Sequence, residues 1–222
     1  MDLLTNAVES IRVGIEDWEQ GTRPRLLSAF RNIYAEILLL YKEALRRLSP
    51  ENSDEVLIKA TMKPVRDAEK GIRLVGAGRR TANRREIRVR FESLGIQTDW
   101  DRLNSIGDIR NNIEHYYADV SHDSTRGDIA SAFLIIRSFL VEELGEDPRE
   151  LLGQTTWDVM LEASEVHAAE RAECDRAIDA IRWESEGLEH AMTGIRCGSC
   201  GSDLLYPDGH EAAEVVLTCR SC

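Results

Sequence analysis

Four of the five cysteines lie in two close pairs at the end of the chain. Cys197 and Cys200 are separated by two residues, as are Cys219 and Cys222, and eighteen residues lie between the pairs. Two C-x-x-C turns at this separation allow four thiolates to converge tetrahedrally on one Zn²⁺ ion. Because the protein would supply all four ligands, we expect a closed site with a structural rather than a catalytic role.

Short apolar runs lie between the two cysteine pairs. Leu204–Tyr206 and Val215–Leu217 are predicted to form strands on either side of a turn at Pro207-Asp208-Gly209. The segment resembles a zinc ribbon, a unit so small that metal binding must supply its folding free energy. The alternative is a pair of disulfides, which the absence of a secretory signal disfavours. Since the chain stops at Cys222, we expect it to be a piece of a longer protein.

A second group of polar residues occupies positions 108–117, with the sequence Asp-Ile-Arg-Asn-Asn-Ile-Glu-His-Tyr-Tyr. On a helical wheel of about 100° per residue, one arc is apolar and would face the core. Its members are Ile106, Ile109, Ile113 and Tyr116. Asp108, Asn111 and His115 lie on the opposite side and are predicted to face solvent or a partner chain. Taken alone, the pattern also fits a polar surface with an Arg110–Glu114 ion pair of about 0.3 kcal/mol.

The order of residues in this helix resembles a known motif. Arg110 to His115 is similar to the R-x-x-x-x-H signature of HEPN domains, which commonly have a polar residue directly after the arginine. With Tyr117 added, the pattern also resembles the R-x-x-x-x-H-x-Y form of HEPN toxins in HEPN/MNT toxin–antitoxin pairs. The resemblance covers roughly residues 20–145 and implies an antiparallel helical bundle. The acidic helix and the ribbon that follow are departures from the compact toxin form.

The resemblance implies a metal-independent endoribonuclease of a prokaryotic toxin or anti-phage defence system. Two protomers would bring their motif helices together as a homodimer. His115 would be the general acid or base at a ribose 2′-OH, Arg110 would stabilise charge on the phosphorane, and Asn111 would orient His115 or the phosphate. No cofactor would be needed for catalysis. Tyr117 would be the residue that an antitoxin or other regulatory protein modifies with AMP.

A basic stretch at residues 63–90 contrasts with the acidic remainder of the chain. It has ten basic and three acidic residues, a net charge of +7 in a protein of net charge −12. Five arginines of this stretch are the predicted RNA-binding residues: Arg79, Arg80, Arg84, Arg85 and Arg88. A solvated helix face is an equally good explanation. Gly76-Ala77-Gly78 is predicted to be a loop, and it lacks the third glycine of a dinucleotide-binding motif.

The elements that must position these residues are mostly helical, since the chain has few prolines and is rich in Leu, Ala, Glu and Arg. Helices are predicted over about residues 3–19, 24–49, 98–118, 125–143 and 154–192. Thr98 and Asp101 are predicted to cap the third of these, and His122-Asp123-Ser124 to form the turn after it. The predicted fold is mainly α, with a HEPN-like bundle (1–147), an acidic connector containing a long C-terminal helix (148–194) and a zinc ribbon (195–222).

Composition limits the remaining possibilities. The chain has 222 residues, 42% of them hydrophobic and 31% charged, which excludes wholesale disorder. The longest apolar run, Ile37–Tyr41, is too short to cross a bilayer. No secretory signal is visible, so we expect a cytoplasmic protein without a membrane partner. Two other functions stay open: a catalytically inactive HEPN module that binds nucleic acid or a partner, and a helical dimerisation domain for a further effector.

Overall fold

The computed structural model describes residues 3–53, 55–67, 71–115, 122–183, 187, 190, 192, 194–200, 202–211 and 214–222. Its contacts divide the chain into two compact units, Met1–Leu152 and Gly153–Cys222. The chain is mainly helical, as predicted, with two separate two-stranded antiparallel sheets. Within these described residues, no helix combines the length and the apolar character needed to cross a membrane.

The first unit begins with two long helices, α1 (Leu3–Gln20) and α2 (Arg23–Leu48), whose bounds match the prediction to within one residue. Pro24 lies in the first turn of α2, where its missing N–H costs no hydrogen bond. The helices pack closely at Gly14, because a Cβ atom there would lie only 2.8 Å from Cγ1 of Ile33. Glycine at this position is therefore what allows α1 to approach α2.

Among its described residues, the first unit has four further helices: α3 (Arg84–Leu94), α4 (Trp100–His115), α5 (His122–Phe139) and α6 (Pro148–Leu152). A π-helical turn, Leu140–Leu144, extends α5. The predicted turn at residues 122–124 is wrong, since these residues begin α5. The predicted Thr98–Asp101 cap is also wrong. Asp99 caps α4 by accepting a 2.9 Å bond from the backbone N–H of Arg102, while the Thr98 hydroxyl lies 2.5 Å from that of Tyr41.

The core of the first unit contains an aromatic cluster contributed by four helices. The Tyr41 ring lies 5.1 Å from Phe91 and 4.6 Å from Phe139, and Trp100 lies 5.7 Å from both Tyr41 and Phe91. Burying such rings stabilises a fold through apolar area and through favourable edge-to-face geometry. The cluster joins α2, α3, α4 and α5, so it fixes the start of α4, the helix that bears the motif.

A hairpin of β1 (Lys59–Asp67) and β2 (Gly71–Thr81) precedes α3. The loop predicted at Gly76-Ala77-Gly78 is wrong, because all three residues lie in β2. Pairing runs in register from Asp67↔Gly71 to Thr61↔Ala77, and then shifts so that Lys59 pairs with Thr81. The extra residues of β2 form a bulge that begins at Gly78, whose φ of +75° is a conformation that favours glycine.

The second unit contains α7 (Gln154–Leu161), α8 (Ser164–Asp179), β3 (Leu205–Glu211) and β4 (Glu214–Cys219). The prediction of a single long C-terminal helix is wrong for the described residues, because the backbone leaves helical geometry at Ala163, with φ −76° and ψ 117°. The predicted turn at residues 207–209 is also wrong, since these residues belong to β3. The division into segments 1–147, 148–194 and 195–222 stays a prediction.

Candidate metal centre and motif helix

The four cysteines of the two C-x-x-C pairs come together in the second unit. The Sγ atoms of Cys197, Cys200, Cys219 and Cys222 all lie within 4.8 Å of one another. Cys197 and Cys222 have their sulfurs 3.7 Å apart, as do Cys200 and Cys219. Tetrahedral ligands with metal–sulfur bonds of 2.3 Å lie about 3.8 Å apart, so these separations suit a single thiolate-binding ion. All four are free thiols, and the disulfide alternative is not what the structure contains.

Backbone hydrogen bonds shape the two knuckles. The Cys197 N–H donates to the Ser202 carbonyl at 2.8 Å, and the Ser221 N–H donates to the Cys219 sulfur at 3.4 Å. Pairing of Leu205 with Cys219 places the second knuckle at the end of the β3–β4 hairpin. Strand pairing and the two turns therefore fix the relative positions of the four sulfurs.

Electrostatics in the cluster favour a bound cation. Backbone N–H groups of Cys200 and Ser199 lower the pKa of Cys197 to about 6, whereas hydrogen bonds to the neighbouring sulfurs, led by Cys200, raise the pKa of Cys222 to about 12. Four thiolates this close repel one another, so they cannot all be ionised near neutral pH without a cation. A divalent metal ion removes this conflict, because coordination deprotonates the thiols.

Helices α7 and α8 hold the second knuckle from outside. The Trp157 indole N–H donates to the Arg220 carbonyl at 2.7 Å, and the Gln154 amide donates to the Ser221 carbonyl at 2.8 Å. Arg220 also bonds the buried Glu170 carboxylate at 3.1 Å and lies 3.9 Å over the Tyr206 ring. These supporting residues were not identified from the sequence, because their roles depend on contacts between distant positions.

The motif residues lie along α4, which runs without interruption from Trp100 to His115. Asp108 and Asn111 are exposed and Ile106 is fully buried, so the predicted polar and apolar sides are confirmed at these three positions. His115 is the last described residue of the helix. Tyr117 lies outside the described residues, so its predicted modification stays a prediction.

Arg110 is half-buried and is oriented by an aromatic ring. Its guanidinium carbon lies 5.6 Å from the centroid of the Tyr34 ring, on α2. Tyr34 in turn packs against Gly107, where an added Cβ would lie 3.0 Å from the ring. Stacking on an aromatic face restricts an arginine side chain while leaving its charge intact. Neither Tyr34 nor Gly107 was identified from the sequence, because only the crossing of α2 and α4 brings them together.

The five predicted RNA-binding arginines occupy two elements. Arg79 and Arg80 are exposed in the β2 bulge, whereas Arg84, Arg85 and Arg88 are exposed on α3. Two of the α3 side chains have protein partners: Arg84 bonds Asn104 at 2.9 Å, and Arg88 bonds Glu92 at 3.0 Å. The basic stretch is therefore divided between a hairpin and a helix, and its RNA-binding role stays a prediction.

A cleft of about 400 Å³ lies between the start of α4 and the end of α5. Asp99 and Arg102 line one side and form an ion pair with an N···O distance of 3.0 Å. Leu134, Ser138 and Glu142 line the other side. No sequence pattern indicated this cleft, since its lining residues are far apart in the chain.

Comparison with known proteins assigns no family to the chain. No family model, curated protein or solved structure matches it. The HEPN resemblance therefore depends on residues 110–117 and on their helical context.

Proposed function

We propose that this protein is a metal-independent endoribonuclease of a prokaryotic toxin or anti-phage defence system, with its site on α4. The observation that supports the proposal most is the placement of Arg110. This permanently charged side chain is half-buried against Tyr34, on the same helix as the exposed Asn111 and as His115. An arginine supported in this way is suited to bind a phosphate group through two parallel hydrogen bonds.

In the proposed reaction, His115 removes the proton from a ribose 2′-OH, since imidazole titrates near neutral pH. The 2′ oxygen attacks the adjacent phosphorus, and the bond from phosphorus to the 5′ oxygen breaks. The leaving 5′ oxygen takes up a proton, which a protonated His115 of the second protomer would supply. The products are a 2′,3′-cyclic phosphate and a 5′-OH end.

Arg110 stabilises the negative charge that develops on the phosphorane, which is greater in the transition state than in the bound RNA. Asn111 is exposed one residue further along α4 and offers an amide that can orient the phosphate or His115. One chain supplies a single copy of each group. We therefore propose that the active form is a homodimer that pairs two α4 helices, and that an antitoxin would silence it by adding AMP to Tyr117.

The cysteine cluster is proposed to hold one structural Zn²⁺ ion. The close approach of four sulfurs fits the tetrahedral, sulfur-rich coordination that zinc prefers. Four protein ligands leave no position open for water or substrate. The ion would therefore stabilise the β3–β4 hairpin and take no part in RNA cleavage.

A second candidate is an inactive module that binds nucleic acid. The exposed arginines of β2 and α3 favour it, because they form a local basic area in a chain of net charge −12. Under this alternative Arg110 and Asn111 would contact RNA without cutting it.

Cleavage of total RNA by the purified protein separates the two functions. The test compares the wild type with Arg110→Ala, His115→Ala and the matched control Arg102→Ala, an arginine on the same helix. We expect wild-type cleavage to persist in EDTA, and the metal content would be measured after the treatment. The cleavage rate should fall by a factor of about 10²–10⁴ in Arg110→Ala and His115→Ala, but not in Arg102→Ala. Arg110→Ala should lose only the small stabilisation from its stacking on Tyr34, about 0.5–1 kcal/mol, and the other two variants should be nearly as stable as the wild type. Intact RNA in every lane, with binding retained, would favour the inactive module.

A further inference from the structure

The β1–β2 hairpin exposes an unusual set of apolar side chains. Ile72 is 74% exposed, Leu74 54% and Met62 48%. Residues directly opposite each other in an antiparallel pair share a face, and residues two apart along a strand do so too. The pairs Met62↔Gly76, Pro64↔Leu74 and Arg66↔Ile72 therefore define one face of the hairpin. We call it the outer face. Exposed apolar clusters of this kind mark interaction sites.

The segment before β1 and helix α3 hold the opposite face and the base of the hairpin. Val75 is buried, and the Gly76 N–H donates to the Ser53 carbonyl at 2.7 Å. Arg73 donates to the Asn52 carbonyl at 2.8 Å, and Arg90 of α3 donates to the carbonyls of Leu57 and Lys59. These bonds fix the hairpin. Gly76 is buried, whereas the other five residues of the outer face are exposed: Met62, Pro64, Arg66, Ile72 and Leu74.

Positive charge surrounds the outer face. Residues 59–81 include seven basic and two acidic residues, so this segment has a net charge of +5 while the whole chain has −12. Arg66 lies on the outer face and is exposed, and the bulge after Gly78 exposes Arg79 and Arg80 at the base of the hairpin, where Arg80 also pairs with Glu86 at 3.6 Å. The charge complements a polyanion, and guanidinium groups both pair with phosphates and stack on bases.

We propose that the β1–β2 hairpin is an arm that binds single-stranded RNA. The bases pack against Met62, Ile72 and Leu74, and the phosphates pair with Arg66, Arg79 and Arg80. Unpaired bases expose the flat apolar surfaces that such a face can cover, whereas a duplex hides them in its stack. The inference rests on the proposed ribonuclease function, because it names how that enzyme would hold its substrate.

Binding can be measured without cleavage by using fluorescein-labelled oligouridine with 2′-O-methyl groups, which has no attacking hydroxyl. Fluorescence anisotropy would compare the full chain with two double variants, Ile72→Ser/Leu74→Ser and Arg79→Ala/Arg80→Ala. Val13→Ser and Arg182→Ala are the controls, since both residues are exposed outside the hairpin. Circular dichroism would verify that each variant is folded.

We expect Ile72→Ser/Leu74→Ser to weaken binding about tenfold, because less apolar area is buried, with the same salt dependence. Arg79→Ala/Arg80→Ala should reduce the slope of log affinity against log salt by about 1.4, or about 0.7 for each lost phosphate contact. The controls should bind like the wild type, and the same strand in a duplex should bind more weakly. This result would support the RNA-binding role of the hairpin whether or not the protein cuts RNA. A lack of cleavage would count only against the proposed ribonuclease activity.

Several results would overturn the proposal. The first is wild-type affinity in both hairpin variants, and the second is equal binding of single strand and duplex. The third is hairpin-dependent binding to phosphatidylserine vesicles in place of RNA. The fourth is loss of a dimer in Ile72→Ser/Leu74→Ser, measured by light scattering, with RNA binding unchanged, because the face would then contact a second copy.

Discussion

The cysteine cluster and the motif helix differ in what holds them together. In the cluster, four sulfurs within 4.8 Å of one another lie at the end of a two-stranded hairpin, an element that is marginal by itself in water. On α4, by contrast, the fold is already secured by the buried Ile106 and by the half-buried Trp100 ring, which packs against Tyr41, and the polar residues Asp108 and Asn111 are exposed. At the cysteine cluster a bound metal would support the fold. On α4 the fold supports the groups that are proposed to react.

Substitutions in the cysteine cluster should therefore affect stability, whereas substitutions of the polar residues on α4 should affect activity. Removing a metal ligand takes away folding free energy, because binding and folding of such a site are coupled. Removing an exposed group from a folded helix costs little stability, since it leaves no cavity and no buried unpaired group. The two regions should therefore respond to mutation in opposite ways.

The largest expected effect is on the cysteine cluster. Cys219→Ser removes one of four ligands, and structural zinc sites in peptides supply roughly 10–16 kcal/mol of apparent binding free energy. We expect the variant to lose bound zinc and the β3–β4 hairpin to lose protection from hydrogen exchange. Cys174→Ser is the matched control, because this buried cysteine lies outside the cluster. Retention of zinc and of protection in Cys219→Ser would show that the cluster does not hold the fold.

The groups proposed to react on α4 should affect RNA cleavage rather than stability. Arg110→Lys keeps a positive charge but loses the planar fork that binds phosphate through two bonds. We expect RNA cleavage to fall by about 10²-fold or more, with a change in unfolding free energy below about 0.5 kcal/mol. Urea denaturation and initial cleavage rates would measure the two quantities. A large loss of stability would make Arg110 a structural residue and remove the contrast with the cysteines.

Glu43 offers an intermediate case in which a charged group stabilises the fold without a metal. Burial raises the pKa of Glu43, but hydrogen bonds from Arg46 at 2.7 Å and Arg47 at 2.9 Å outweigh it and hold the pKa below its ordinary value. We expect Glu43→Gln to destabilise the first unit by about 2–3 kcal/mol, because it breaks a buried charge network. Glu92→Gln, at an exposed pair with Arg88, should cost less than about 1 kcal/mol.

The last expected effect is a dependence of stability on pH, at Glu36. Burial raises the pKa of this carboxyl to about 7, although Lys42 and a hydrogen bond from Ser10 oppose the shift. The folded state therefore binds this proton more tightly than the unfolded state, and stability should fall as the pH rises from about 4.5 to 7. We expect Glu36→Gln to raise Tm at pH 8 and to change it little at pH 4.5. An equal change at both pH values would contradict this assignment.

The sequence predicted the cysteine cluster and the first two helices because their signals are local. A C-x-x-C turn brings two ligands together by its own geometry, and α1 and α2 have long, regular apolar patterns. The β1–β2 hairpin was missed because its glycines have non-local roles. Gly76 bonds the carbonyl of Ser53, and Gly78 begins a bulge whose register depends on the partner strand.

The cap of α4 was misplaced for a similar reason. Thr98 is a good cap by residue type, but its hydroxyl lies beside that of Tyr41, on a distant helix, and Asp99 takes the capping role. The support of Arg110 by Tyr34 likewise depends on packing between α2 and α4. Local chemistry therefore predicted which residues could react or bind metal, whereas tertiary contacts decided how they are held.

Under the proposed function, residues of α4 promote cleavage of RNA by its own 2′-hydroxyl. The decisive measurement is mass spectrometry of the ends produced from a synthetic RNA, beside the same RNA with methylated 2′-hydroxyls and beside His115→Ala. We expect 2′,3′-cyclic phosphate and 5′-OH ends from the unmodified RNA with the wild type only. Ends bearing a 5′-phosphate, or cleavage that persists in His115→Ala or with the methylated RNA, would contradict it.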